Sequence, residues 1–227
     1  MIEYNQLTGK GEKMEHELVI NSMFNELKKV FRGEVLRDEP LKNHTYFKIG
    51  GPASLFTVPE DEEDLKVLLK EIKKHEIDYY LIGNGTNLLV SDEGFKGIIV
   101  KIGEKFNKLS RDGNKVTAGA GVLLSSLAKF TAKEGLAGFE FASGIPGYLG
   151  GAIPINAGAY GGEMKDVVTK VTCMDRDGKI HEFSNEEMEF SYRHSRLSDS
   201  DYIVLEADLI LTPGRVEDIM EKIRDLN

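Results

Sequence analysis

The feature that most limits how this chain can fold is a run without a single charge, Phe141 to Gly162, holding seven glycines and two prolines. Its length would suit a membrane span. Its composition does not, because glycine and proline at this density defeat a helix. Ordering so many glycines is entropically expensive. Such a run is worth keeping where the backbone must approach something closely. A floppy linker is the alternative, but linkers are polar, and Ile145, Leu149, Ile153 and Ile155 are threaded through this one.

The rest of the 227-residue chain is ordinary for a globular protein, with 41% hydrophobic and 30% charged residues. A net charge of −9 argues against nucleic acid as a partner, since phosphate backbones need a basic surface. It does not exclude a nucleotide cofactor held locally by backbone N–H groups. Cys173 is the one cysteine, so no internal disulfide and no cysteine metal cluster is expected, and a reducing cytoplasm is the natural compartment. A buried Cys173 is favoured over a reactive thiol, because it sits in an alternating strand pattern. The histidines show no metal-ligand spacing. The first residues carry no apolar core of a signal peptide.

Periodicity points to an α+β chain. A polar tail, 1–15, precedes a helix from Glu17 with Leu18, Phe24, Leu27 and Phe31 on one face. Residues 43–48 read as extended, and 55–58 as a strand. Pro59 and the acids after it open a helix whose stripe is Leu65, Leu68, Leu69 and Ile72. Strands follow at 79–82, 88–90, 98–102 and 115–118, then a helix carrying Leu124, Leu127, Ala128 and Ala132. A hairpin is expected at 167–174 and 179–183, a strand at 202–211 and a helix from Val216. The organisation is read as an N-terminal lobe, 16–103, a second lobe, 104–213, and the start of a helix, 214–227.

Two loops carry candidate chemistry. The first, Gly83-Asn84-Gly85-Thr86-Asn87, leaves a hydrophobic strand. Its glycines let backbone N–H groups converge, and Thr86 and Asn87 add neutral donors, which suits a pyrophosphate. It is neither a Rossmann fingerprint nor a P-loop, and a tight structural turn would also explain it. The second contains Ser143, Gly144, Ile145, Gly147, Gly150 and Gly151, and continues to Ala157 and Gly158. Backbone donors and small side chains there suit a flat isoalloxazine ring. Arg193 is the third candidate; a surface salt bridge to Glu186, Glu187 or Glu189 is its bland reading.

Together these segments resemble a known family. The first loop is similar to the diphosphate loop of the FAD-binding fold of the vanillyl-alcohol-oxidase/PCMH type, a two-lobed α+β fold. The Ser143-Gly144-Ile145-Pro146-Gly147 and Asn156-Ala157-Gly158-Ala159-Tyr160-Gly161-Gly162-Glu163 runs resemble the UDP-N-acetylenolpyruvoylglucosamine reductase family. So do Asn43 to Ala53 and Phe190 to Ser195. The resemblance implies FAD, NADPH as co-substrate, and a UDP-sugar enolpyruvyl ether reduced to UDP-N-acetylmuramate for peptidoglycan synthesis. It makes Arg193 the active-site arginine. Without a histidine in the first loop, FAD is expected to be non-covalent. Tyr148 and Tyr160 are expected near the flavin or in packing. The family's proton-donating serine and partner glutamate belong to a C-terminal substrate domain beyond the resemblance, and neither Ser143 nor Ser195 is a substitute. A flavin oxidase of the wider superfamily and a non-catalytic FAD-binding fragment are the alternatives. No membrane partner is expected.

Overall fold

In the first half of the chain, a four-stranded mixed sheet is built around apolar runs that local sequence already marks as buried. The computed structural model describes residues 10–226. The chain divides into two compact units, Met1–Ile102 and Gly103–Asn227.

The first unit contains α1 (Lys10–Val30), β1 (Glu34–Pro40), β2 (Pro52–Val58), α2 (Glu62–His75), β3 (Tyr79–Ile82) and β4 (Phe95–Lys101). The strand order is β1-β2-β4-β3. β1 pairs antiparallel with β2, while β4 lies parallel to both β2 and β3. Ile98, Ile99 and Val100 of β4 are fully buried, as expected of a central parallel strand covered on both faces. Leu41, Ala53, Phe56, Ile82, Val90, Phe95 and Ile99 form one core cluster. Helix α2 buries Leu65, Leu68, Leu69 and Ile72 as its spacing implies. Its cap is Asp61, whose side chain accepts the Asp64 N–H at 3.0 Å. Buried Asp64 accepts the Arg32 and Gly33 N–H groups at 2.8 Å each and that of Glu60 at 3.0 Å. One carboxylate therefore ties the α1–β1 turn to the start of α2.

Several sequence expectations change here. Helix α1 begins at Lys10, so the expected tail is shorter; residues 1–9 lie outside the described residues. Its buried face is Ile20, Met23 and Leu27, with buried Phe31 just past its end, while Leu18 is 64% exposed. Residues 43–48 form a turn, not an extended strand, and no strand forms at 88–90. Pro59 lies outside α2. Strand β1 is an edge with only Val35 fully buried, and that polarity hid it.

The second unit contains β5 (Leu109–Asp112), β6 (Lys115–Gly119), α3 (Leu124–Lys133), β7 (Leu136–Ala137), α4 (Leu149–Ala152), β8 (Gly158–Ala159), β9 (Gly162–Glu163), β10 (Val168–Met174), β11 (Ile180–Ser184), β12 (Ile203–Ile210), β13 (Thr212–Pro213) and α5 (Val216–Leu226). Its main sheet is antiparallel, in the order β11-β10-β12-β6-β5. The central β12 is nearly all buried. Helix α3 buries Leu124, Leu127, Ala128 and Ala132. Cys173 is fully buried in β10, and burial pushes its thiol up to about 12. It is a core residue. Among the described residues no helix is long and apolar enough to cross a membrane.

Candidate functional site

The first loop leaves β3 at Gly83 and is locked to a turn at His44–Tyr46. Gly85 has φ +65, and a Cβ there would lie 1.9 Å from the His44 carbonyl oxygen. No other residue fits. The Tyr46 N–H donates to the Gly85 carbonyl at 2.9 Å. Two stretches of sequence forty residues apart, the 43–53 signature and the 83–87 loop, are thus one local structure. His44 stacks on Phe56 at 4.0 Å and meets Glu39 at 3.0 Å, which fixes the turn from below. Asn84 and Asn87 are exposed, Gly83 and Thr86 half-buried. Exposed amide side chains beside a fixed backbone suit neutral-donor recognition of a diphosphate.

The glycine-rich run lies in the second unit and is not a linker. The Leu149 N–H donates to the Val122 carbonyl at 2.9 Å, and the Gly150 N–H to the Ala120 carbonyl at 2.8 Å. Leu124 N–H reaches the Gly147 carbonyl at 3.1 Å. These bonds lace the run to the entry of α3. The short helix α4 forms inside it in spite of its glycines, because Leu149, Ala152 and Ile153 are buried against the sheet. Adjacent glycines differ sharply. A Cβ on Gly150 would lie 2.8 Å from the Ala120 Cβ, whereas a Cβ on Gly151 would meet nothing within 4 Å. Packing therefore requires a small residue at Gly150 only. At Gly151 the backbone is left open to an approaching group. Ser143 and Ala157 are buried, Gly144 exposed, and Ile145, Gly147 and Gly158 half-buried. Tyr148 is core. Tyr160 stands at the β8–β9 tip, 67% exposed, and its hydroxyl donates to the Leu226 carbonyl at 2.7 Å.

Arg193 lies on a tight turn. The Ser191 N–H donates to the His194 carbonyl at 2.9 Å, and the reverse bond is 3.3 Å. Arg193 has φ +53 and is exposed. Among the described residues it forms no ion pair. The Glu189 carboxylate is taken by Arg196 at 3.5 Å, and Glu187 bonds the Ser184 N–H and hydroxyl. The salt-bridge reading of Arg193 therefore has no counterpart in the structure. Ser195 is fully buried and accepts the Leu197 N–H at 3.2 Å, a local structural bond. Asn156 belongs to the resembling run but has no role assigned to it there; it is 2% exposed and bridges the run and this turn.

His16, His44, His75 and His181 each bond another side chain. His75 lies near Glu26 and Glu71 in a ligand-like cluster. That cluster already holds the Lys74 ammonium, 2.5 Å from Glu26 and 3.2 Å from Glu71. Lys74 and His75 draw the Glu26 carboxyl down to about 2.

Comparison with known proteins identifies the family. The FAD binding domain family matches residues 53–184. UDP-N-acetylenolpyruvoylglucosamine reductase of Alkaliphilus oremlandii is 52% identical over 192 residues, which is 85% of this chain and 63% of that protein. The chain thus spans a little under two thirds of that relative. The crystal structure of UDP-N-acetylenolpyruvylglucosamine reductase from Thermus caldophilus superposes with a TM-score of 0.72 at 35% identity, over 86% of this chain and 68% of that one. The 6-hydroxy-D-nicotine oxidase of Arthrobacter nicotinovorans shares the fold alone, at a TM-score of 0.59 and 18% identity, over 81% of this chain and 43% of that one. Matching an FAD binding domain over more than half of its length, and a reductase crystal structure at 35% identity over 68% of that structure's chain, this chain belongs to the UDP-N-acetylenolpyruvoylglucosamine reductase family.

Proposed function

We propose that this chain is the flavin-binding part of a cytoplasmic enzyme that reduces UDP-N-acetylglucosamine enolpyruvate to UDP-N-acetylmuramate with NADPH, in peptidoglycan precursor synthesis. The observation that carries the reading is Arg193. It is an exposed cation without a carboxylate partner among the described residues, on a turn hydrogen-bonded to the glycine-rich run.

The residues fit non-covalent FAD. Gly83, Asn84, Gly85, Thr86 and Asn87 would serve its diphosphate. Ser143, Gly144, Ile145, Gly147, Gly150, Gly151, Ala157 and Gly158 would line its ring. The open backbone at Gly151 supports this, since a side chain would occupy space that packing does not claim. The first loop offers no histidine for a covalent tether. When bound, FAD supplies the redox relay between NADPH and the enolpyruvyl ether.

The chain's own contribution to the chemistry is electrostatic. Reduction of the enolpyruvyl double bond places charge on the substrate carboxylate. The planar guanidinium of Arg193 can pair with both carboxylate oxygens and stabilise that charge. Its freedom from a competing carboxylate keeps it available.

The test uses the complete enzyme containing this chain. NADPH oxidation that depends on the UDP-sugar is expected, and Arg193→Lys should slow it about a hundredfold with flavin content unchanged, because lysine loses the bidentate geometry. Oxygen consumption with a simple alcohol, or an unchanged rate in Arg193→Lys, would refute the assignment.

A further inference from the structure

The glycine-rich run and the arginine turn are joined through one buried amide. Asn156 has φ +42 and is 2% exposed. Its Nδ2 donates to the Ser191 carbonyl at 2.9 Å and to Glu163 Oε2 at 2.6 Å. Its Oδ1 accepts the Lys165 N–H at 2.9 Å. Both amide protons and the carbonyl are therefore engaged. A second tether lies seven residues beyond Ser191. Ser198 Oγ donates to the Pro154 carbonyl at 2.7 Å and accepts the Ser195 N–H at 3.0 Å. Segment 191–198 is thus pinned at both ends to residues 154–156 of the run.

Arg193 sits between the pins. Its side chain makes no ion pair among the described residues, and its turn is exposed. The turn's own two bonds close it on itself and do not place it on the rest of the unit. The segment is placed by these tethers together with the Arg196 N–H, which donates to the Met188 carbonyl at 2.8 Å, and by buried Ser195 and Leu197. We propose that Asn156 is the positioning residue of this site: it holds the Arg193 turn on the glycine-rich run, so that one element lining the flavin also places the substrate-facing cation. The purpose of that placement rests on the role of Arg193 given above; the holding itself does not.

The experiment uses the complete FAD-loaded enzyme with Asn156→Gly. Glycine tolerates the left-handed backbone and removes the side chain that carries the amide. Hydrogen exchange followed by mass spectrometry should show the amides of 191–197 exchanging on the order of tenfold faster, with β10 and β12 unchanged. Ser198→Ala, which leaves the 156 backbone untouched, should shift the same peptide in the same direction. Flavin reduction by NADPH should keep its rate while reoxidation by the UDP-sugar slows on the order of tenfold. Combining Asn156→Gly with Arg193→Lys should be no slower than Arg193→Lys alone, because both act through one group. Wild-type exchange in 191–197, or losses that multiply in the double variant, would overturn the proposal. If Arg193→Lys alone reoxidises at the wild-type rate, the role of Arg193 falls, and the exchange data still decide whether Asn156 holds the turn.

Discussion

Neighbouring glycines offer the sharpest test of where the cofactor approaches. Gly150 and Gly151 are consecutive, both lie in α4, and neither has a positive φ. Alanine at 151 meets open space. It should stabilise the FAD-free protein by about 0.4–1 kcal/mol, through loss of unfolded-state freedom. For a chain of this size that raises the melting temperature by about 1–4 °C. Alanine at 150 would put a Cβ 2.8 Å from that of Ala120 and 3.1 Å from its carbonyl. Overpacking of this kind costs about 1–3 kcal/mol, so its melting temperature should fall. FAD binding should respond at 151 although packing does not. A methyl group on the face met by the ring forces a similar overlap of about 1–3 kcal/mol, hence roughly five- to 150-fold weaker FAD binding. Thermal melts of the FAD-free proteins and a flavin fluorescence titration read the two effects separately. Wild-type FAD affinity in Gly151→Ala would refute the idea that this open backbone faces the cofactor.

Gly85→Ala combines a left-handed φ with a contact of 1.9 Å to the His44 carbonyl, and should destabilise the first unit by about 2–4 kcal/mol in urea unfolding. Burial would raise the Asp208 carboxyl, but the Lys115 ammonium at 2.8 Å and the Thr117 hydroxyl at 2.6 Å outweigh it and hold the group below its usual range. A depressed carboxylate stabilises the fold above its unfolded pKa of about 4. Asp208→Asn should therefore cost about 1–2 kcal/mol at pH 7, shrinking as the pH falls below about 4, in denaturant titrations at several pH values. Cys173, buried and pushed up to about 12, should resist thiol reagents at pH 8 until denaturant is added.

Much of this was written locally. The stripe of α2, the buried run of β4, the β10–β11 hairpin and the strand at β12 each depend on neighbours a few residues away, so local pattern finds them, although β12 is buried on both faces and does not alternate. The two loops and Arg193 were marked by composition and by resemblance. The misses share one cause. Strand β1 shows a polar edge, and only its pairing with β2 makes it a strand. Residues 43–48 look extended until the turn closes against Gly85.

What the sequence marked by itself was three candidate segments: a charge-free glycine run, a Gly-Asn-Gly-Thr-Asn loop and an arginine in the last quarter of the chain. Tertiary structure alone decided how they are held. Gly150 and Gly151 are the same letter, and only Ala120, thirty residues away, distinguishes a packing glycine from an open one. Asn156 reads as one more polar residue in a loop until Ser191 arrives beneath its amide. Contacts across such separations leave no periodic trace in the chain, because they are made by folding and not by neighbours.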